Sequence, residues 1–320
     1  MLAEFDLIRR FFTPAAPVVQ AGVGLGVGDD AALLVPTPGH QLAVSVDTSV
    51  QNVHFPAQAP ARAIGHRALA VALSDLAAMG ARSRWCFMAL TMAGSEDDFE
   101  SWVAAYAEGF LALCATTDTV LAGGDITAGP LTIAVTVMGE VPERQALTRH
   151  GAGADDLIAV TGSLGGGAGG LALWQRGERD LSHPLLKRYL LPEPRLQAGE
   201  ALRELATSAI DISDGLLADL GHIRKASGVG AVLTPDAIPL AAGLEAELGL
   251  RGAEQAALCG GDDYELLVTL PRANLEQARQ RLAALGQSLS VIGYCREAPG
   301  VAGVPDNLQD GWQHFSGETP

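Results

Sequence analysis

Leu157-Ile-Ala-Val-Thr161-Gly-Ser-Leu-Gly-Gly-Gly-Ala-Gly-Gly170 is the stretch on which the fold class turns. Its first five residues are apolar or β-branched, the pattern of a buried strand. Glycines then break the strand, and Gly166–Arg176 reads as a helix. A strand that runs through a glycine turn into a helix is the building unit of α/β and α+β proteins. The turn suits an anion cradle at a helix N-terminus. It suits a tight strand–helix packing turn as well. No Gly-Lys-Ser/Thr follows it, and no acid stands at a strand end about 20 residues on, so it is neither a P-loop nor a dinucleotide fingerprint.

Outward from this unit the alternation continues. Downstream, Pro194–Leu205 reads as helix, Ala209–Ile212 as strand, Gly215–Ser227 as helix, Glu265–Leu270 as strand, Ala273–Leu285 as helix and Leu289–Tyr294 as strand. Upstream, residues 3–12 read as a short amphipathic helix, and Ala31–Val35 and Leu42–Val46 as strands. Ala61–Met79 is a helix apolar almost all round, closed by Gly80 as its C′ residue. Arg84–Met92 is a strand, and Ser95 opens a helix to about Thr116, with Asp98 completing a capping box. Thr119–Ala122 and Leu131–Val141 are strands. The polar, turn-rich segment Pro142–Ala154 separates two expected lobes, 1–145 and 146–320. The fold class that follows is a two-lobe α+β or α/β protein.

Composition narrows the function. Among 320 residues, 21 are basic and 37 acidic, a net charge of −16. Such a chain lacks the basic face that a nucleic-acid partner requires. No uncharged apolar stretch reaches the roughly 18–20 residues of a membrane span. An acid stands near the N-terminus where a signal peptide carries bases. Cys86, Cys114, Cys259 and Cys295 lie far apart in mostly apolar surroundings, as reduced cysteines do. The expectation is a cytoplasmic protein with neither a membrane nor a nucleic-acid partner.

The acids themselves point to chemistry. Asp29 and Asp30 follow a glycine-rich run, and Asp47 ends the strand Leu42–Val46. Asp75 lies inside the apolar helix, and Asp125 follows Leu121-Ala-Gly-Gly124. Asp211 and Asp214 flank Ile212-Ser213, and Asp262, Asp263 and Glu265 follow Gly260-Gly261. Gly28-Asp-Asp-Ala-Ala-Leu-Leu-Val35 and Gly261-Asp-Asp-Tyr-Glu-Leu-Leu-Val268 agree at six of eight positions. Each acid has a plainer reading: Gly-Asp-Asp is ordinary turn chemistry, and Asp214 is a fitting N-cap acid. Asp75 requires a partner, either a cation or a salt bridge to Arg67 or Arg82. Five such contexts in one chain favour bound cations, and oxygen-only ligands select Mg²⁺. Mg²⁺ between carboxylates and phosphates is the apparatus of phosphoryl transfer.

Six motifs occur in order: G-D-D-A-A (28–32), S-V-D-T-S-V-Q-N-V-H-F (45–55), A-L-S-D-L-A-A-M-G-A (72–81), A-G-G-D-I-T (122–127), D-I-S-D-G-L (211–216) and G-D-D-Y-E-L (261–266). With Glu4-Phe5-Asp6-Leu7-Ile8 and Gly311-Trp-Gln-His-Phe315, this set resembles the thiamine-monophosphate kinase family over residues 4 to 315. The resemblance implies an aminoimidazole ribonucleotide synthetase-like fold. In that fold the N-terminal lobe binds ATP and metal and its sheet pairs into a dimeric barrel, beside a C-terminal α/β lobe. It implies ATP-dependent phosphorylation of thiamine monophosphate to thiamine diphosphate, with several Mg²⁺ ions, no phospho-enzyme and a homodimer.

Carried over by position, the resemblance implies Asp30, Ser45, Asp47, Asp75, Asp125, Asp211 and Asp214 as metal ligands, with Asp47, Asp75 and Asp125 at the catalytic centre. It implies Gly124, Asp125, Arg149 and Ser213 as ATP contacts, and His54, Glu265 and Trp312 as substrate contacts. The residues by themselves support the acids only; His54, Arg149 and Trp312 read equally as a core histidine, a surface arginine and a packed tryptophan. A selenophosphate synthetase would need a reactive cysteine near the N-terminus, whereas the first here is Cys86. A hydrogenase-maturation carrier would need a C-terminal cysteine, whereas this chain ends Gly-Glu-Thr-Pro. A purine-pathway synthetase and a non-catalytic cation-binding protein are the remaining rivals, and acceptor-dependent ATP turnover separates them.

Overall fold

The computed structural model describes residues 4–13, 22–93 and 99–304. The chain divides into two compact units: Met1–Leu76 with Ala81–Arg144, and Ala77–Gly80 with Gln145–Pro320.

The first unit starts with helix α1 (Glu4–Leu7), continued by a π-turn over Ile8–Phe12. The short strands β1 (Val23–Leu25) and β2 (Leu33–Leu34) pair with each other. Then follow β3 (His40–Val50), α2 (Ala61–Ala78), β4 (Arg82–Met92), α3 (Phe99–Thr116), β5 (Val120–Ala128) and β6 (Thr132–Pro142). The sheet order is β3-β6-β4-β5, with β3–β6 and β6–β4 antiparallel and β4–β5 parallel. Alternation decides its faces. Ile133, Val135 and Val137 on β6 are buried with Met88 and Leu90 of β4 on one face. Leu42, Val44 and Val46 on β3 point the other way and are 42 %, 55 % and 61 % exposed. One edge strand therefore carries an apolar stripe that its own sheet leaves open. Part of that second face is covered where Val23 and Leu34 pack with Phe87 and Met138.

Helices α2 and α3 touch backbone to backbone. A Cβ on Gly65 would stand 2.1 Å from the Tyr106 carbonyl oxygen, and one on Gly109 1.9 Å from that of Arg62. Ile64, Leu69, Leu73, Tyr106 and Phe110 are fully buried. Each such side chain contributes about 1.5–3 kcal/mol by leaving water. Gly80 terminates α2 with φ +62°, as its position predicts. The Ser95–Asp98 helix start lies outside the described residues.

The second unit contains β7 (Leu157–Thr161), α4 (Gly166–Gln175), α5 (Pro184–Leu190), α6 (Leu196–Leu202), β8 (Ser208–Asp211), α7 (Leu216–Ser227), β9 (Gly230–Leu233), α8 (Leu244–Cys259), β10 (Leu266–Leu270), α9 (Leu275–Ala283), β11 (Leu289–Arg296) and β12 (Val301–Ala302). Six strands pair in the order β12-β9-β11-β7-β10-β8. Every pairing is antiparallel except β12–β9. Alternating helices and strands thus build an antiparallel layer here, because strands adjacent in sequence are not adjacent in the sheet. The core joins Ile158, Val160, Ile210, Leu267 and Ile292 of the sheet to Leu216, Leu220 and Ile223 of α7 and Ala257 and Leu258 of α8. Local sequence does not predict α5, β9, α8 or β12. Seven residues are too few for a clear helical period in α5, and Gly249, at φ +69°, kinks α8.

Candidate functional site

In the first unit, Ser45 and Asp47 lie two residues apart on β3 and share a face. Asp75 of α2 meets that face, for the Ser45 hydroxyl donates to the Asp75 carboxylate. This corrects two expectations. Asp75 is half-buried with a serine as its partner, while Arg67 Nε donates to the His54 carbonyl at 3.3 Å and Arg82 faces Asp118 at 4.0 Å. Asp47 sits inside an eleven-residue strand rather than at its end, opposite Val135.

Asp125 also lies within a strand, since β5 continues past the expected end at Ala122 through Gly123 and Gly124. The cause is contact. A Cβ on Gly124 would stand 2.0 Å from the Met88 carbonyl oxygen, so only glycine lets β5 run this close to β4. Registers place Asp47, Val135, Met88 and Gly124 in one row across the sheet, and Asp125 opposite Ala89 in the next. Alternation therefore turns Asp125 to the face of Val44 and Val46, away from Asp47. Three strand spacings, about 14 Å, separate their two edge strands. Within one chain the sheet does not bring Asp47 and Asp125 together. Gly123, Gly124 and Asp125 line a shallow hollow with Ile8, Phe12, Val27 and Met88.

Asp30 is exposed in the loop between β1 and β2, where its N–H donates to Asp29 Oδ1 at 2.8 Å. His54 Nδ1 accepts the Val50 N–H at 3.0 Å, which leaves Nε2 as the proton-bearing nitrogen of the neutral ring.

In the second unit, Asp211 ends β8, and Ser213 and Asp214 form the turn into α7. Asp219 Oδ2 accepts the N–H groups of Ser213, Asp214 and Gly215, each at 3.1 Å. Burial, with the Asp211 and Asp214 charges beside it, pushes the Asp219 carboxyl up to about 7. Gly215 combines φ +119° with a backbone approach to Cys259, so this turn admits no side chain there. Arg149 is exposed, and its carbonyl accepts the Ser227 hydroxyl at 3.0 Å.

The glycine-rich turn is filled by the protein itself. Asp263 accepts the N–H groups of Gly165 at 2.7 Å and Gly167 at 3.1 Å, at the start of α4. Burial outweighs these bonds and raises its carboxyl to about 7. Glu265 is fully buried and bound on both oxygens. Arg188 reaches it at 2.9 Å, Arg195 at 2.7 and 2.8 Å, and the Thr161 hydroxyl at 2.7 Å. Asp219, Arg188 and Arg195 were absent from the sequence reading. An acid in the first turn of α7 was a local signal for Asp219, whereas nothing near Arg188 or Arg195 in sequence marks them. Trp312 lies outside the described residues.

Among the described residues, no three His, Cys, Asp and Glu side chains stand close enough to enclose a cation, and no helix is long and apolar enough to cross a membrane. The donors are hydroxyl and carboxylate oxygens, and carboxylates crowd at Asp211, Asp214 and Asp219. Mg²⁺ fits such a set, because it commonly takes one or two carboxylates and completes its shell with water and phosphate oxygens.

Comparison with known proteins follows the same division. Family models for AIR synthase related protein match residues 28–141 with the N-terminal domain and 153–304 with the C-terminal domain. The thiamine-monophosphate kinase of Salmonella typhimurium is 40 % identical over 323 residues, covering 98 % of both chains. The crystal structure of thiamine-monophosphate kinase from Stenotrophomonas maltophilia superimposes with a TM-score of 0.85 at 43 % identity, covering 94 % of this chain and 96 % of that one. AaThiL complexed with AMPPCP and TMP superimposes with a TM-score of 0.78 at 28 % identity, covering 90 % and 91 %.

Proposed function

We infer that this chain, which belongs to the thiamine-monophosphate kinase family of AIR synthase related proteins, transfers the γ-phosphoryl group of ATP to the phosphate of thiamine monophosphate. The observation that carries the reading is the 40 % identity with a thiamine-monophosphate kinase over 98 % of both chains.

The acceptor is already an anion and needs no strong general base. The work is to hold two polyanions in line against their repulsion, directly and without a phospho-enzyme. Mg²⁺, when bound, supplies the charge that cancels this repulsion between phosphates. In the first unit Asp30, Ser45, Asp47 and Asp75 would hold such ions, with Asp47 and Asp75 nearest the transfer, and Asp125, on the opposite face of the sheet, would hold a separate one. In the second unit Asp211 and Asp214 would do so. Ser45 aims the Asp75 carboxylate by its hydrogen bond. In the first unit Gly124 offers backbone to ATP at the rim of the hollow beside β5; in the second unit Ser213 and the exposed Arg149 offer phosphate contacts. His54 and Trp312 contact the acceptor. Glu265, its carboxylate enclosed by two arginines, acts on the acceptor by holding Arg188 and Arg195 in place.

The lobes 1–145 and 146–320 divide these tasks, the first binding ATP and metal and forming the dimer. Two copies pair through the open faces of their first-unit sheets into a barrel. The exposed Leu42, Val44 and Val46 support this pairing, as does Asp125, which shares their face and would be carried to the dimer. Free thiols at all four cysteines accord with a cytoplasmic setting.

An assay of purified protein with ATP, Mg²⁺ and a panel of acceptors tests the reading. Thiamine diphosphate should form from thiamine monophosphate, with no product from free thiamine. Turnover of aminoimidazole precursors, without any of thiamine monophosphate, overturns it.

A further inference from the structure

We propose that Asp219 is a positioning residue for phosphoryl transfer: its carboxylate clamps the turn that presents Ser213 and Asp214. This rests on the reading of Asp214 as a cation ligand and extends it to a residue with no assigned role.

The argument is geometric. The turn has only Ile212 to Gly215 in which to pass from β8 to α7. One oxygen, Asp219 Oδ2, takes three successive N–H groups from it. On the carbonyl side, the Asp262 N–H donates to Ser213 O at 2.9 Å and the Tyr264 N–H to Ile212 O at 2.8 Å. Peptide groups at Ile212 and Ser213 are thus held from both sides, and the direction of the Asp214 side chain is set by backbone that cannot rotate. Helix capping alone does not call for this residue. A cap accepts one or two N–H groups, whereas a single side-chain oxygen here accepts three. Here a carboxylate only 2 % exposed is kept beside Asp211 and Asp214, two further carboxylates, which costs stability. Residues that orient ligands from behind commonly change metal affinity or activity about 10–100-fold when removed.

The test compares D219A, D219N and D214N in the full chain. Three quantities are read: amide hydrogen exchange at Ser213–Gly215, binding of Mn²⁺ with AMPPCP by electron paramagnetic resonance, and kcat against KM for both substrates. In D219A, exchange should quicken, Mn²⁺ affinity should fall about tenfold or more, and kcat should fall about 100-fold, with KM for the acceptor little changed. D219N keeps the acceptor oxygen and should restore all three. D219S, which keeps a polar group of shorter reach, replaces D219A in the comparison if D219A does not fold. The proposal is overturned if the alanine or serine variant folds with Mn²⁺ affinity and kcat near those of the parent, or if D219N is as impaired as D219A. If D214N weakens Mn²⁺ binding while D219A does not, the clamp alone fails. If D214N leaves Mn²⁺ binding intact, the ligand reading fails, and the clamp falls with it.

Discussion

The Ser45 hydroxyl donates to the Asp75 carboxylate, joining an edge strand to a helix across thirty residues. A charge held by one hydroxyl contributes little to stability and remains available to a cation. Asp75→Asn should therefore leave the melting temperature of the ligand-free protein within about 3 °C, one charged hydrogen bond being worth about 1.5 kcal/mol. Activity should fall by orders of magnitude, and the melting shift on adding Mg²⁺ with AMPPCP should shrink. Melts of both proteins with and without ligand check this; a large loss in the ligand-free state would contradict it.

Glu265→Gln breaks a buried charge cluster. With Arg188 and Arg195 left unneutralised, the cost should be about 3–5 kcal/mol, or a melting temperature lower by about 10 °C. Thr161→Val removes one neutral donor from the same carboxylate and should cost less. Calorimetry of the two variants gives the order.

Asp263 governs a pH response. Its carboxyl is raised to about 7 in the folded protein, so the folded state holds this proton more tightly than the unfolded chain. Stability from that proton is complete in acid and is lost as pH rises through about 7. Asp263→Asn keeps an oxygen for Gly165 and Gly167 and never ionises. Its melting temperature relative to the parent should climb from pH 4.5 to about 7 and then level off, as paired thermal melts from pH 4.5 to 8 would show; a constant difference would refute the assignment.

Val44→Glu places a charge in the exposed apolar stripe of β3 without touching the buried face. If two copies meet there, light scattering should find a monomer where the parent is a dimer, with circular dichroism unchanged. A dimer that survives Val44→Glu together with Val46→Glu puts the contact elsewhere.

Much of this could be read locally. Strands and helices such as Leu157–Thr161 and Ala61–Ala78 follow from residue periodicity, which acts over a few neighbours. Turn chemistry likewise placed Asp211 and Asp214 between a strand and a helix. Two strands run further than local sequence predicts, because Asp47 interrupts the apolar run of β3 and Gly123-Gly124-Asp125 carries no strand signal. Pairing with β6 and β4 recruits them.

By itself, then, the sequence determined most of the elements, the inventory of acids and the family. Tertiary structure alone decided who meets whom. Asp263 fills the glycine turn almost a hundred residues before it, Arg188 and Arg195 converge on Glu265 from 77 and 70 residues away, and Asp47 and Asp125 are turned to opposite faces. The physical reason is range. Periodicity is set by backbone geometry within a few residues, whereas neighbours across a sheet are chosen by register and burial between segments far apart in the chain.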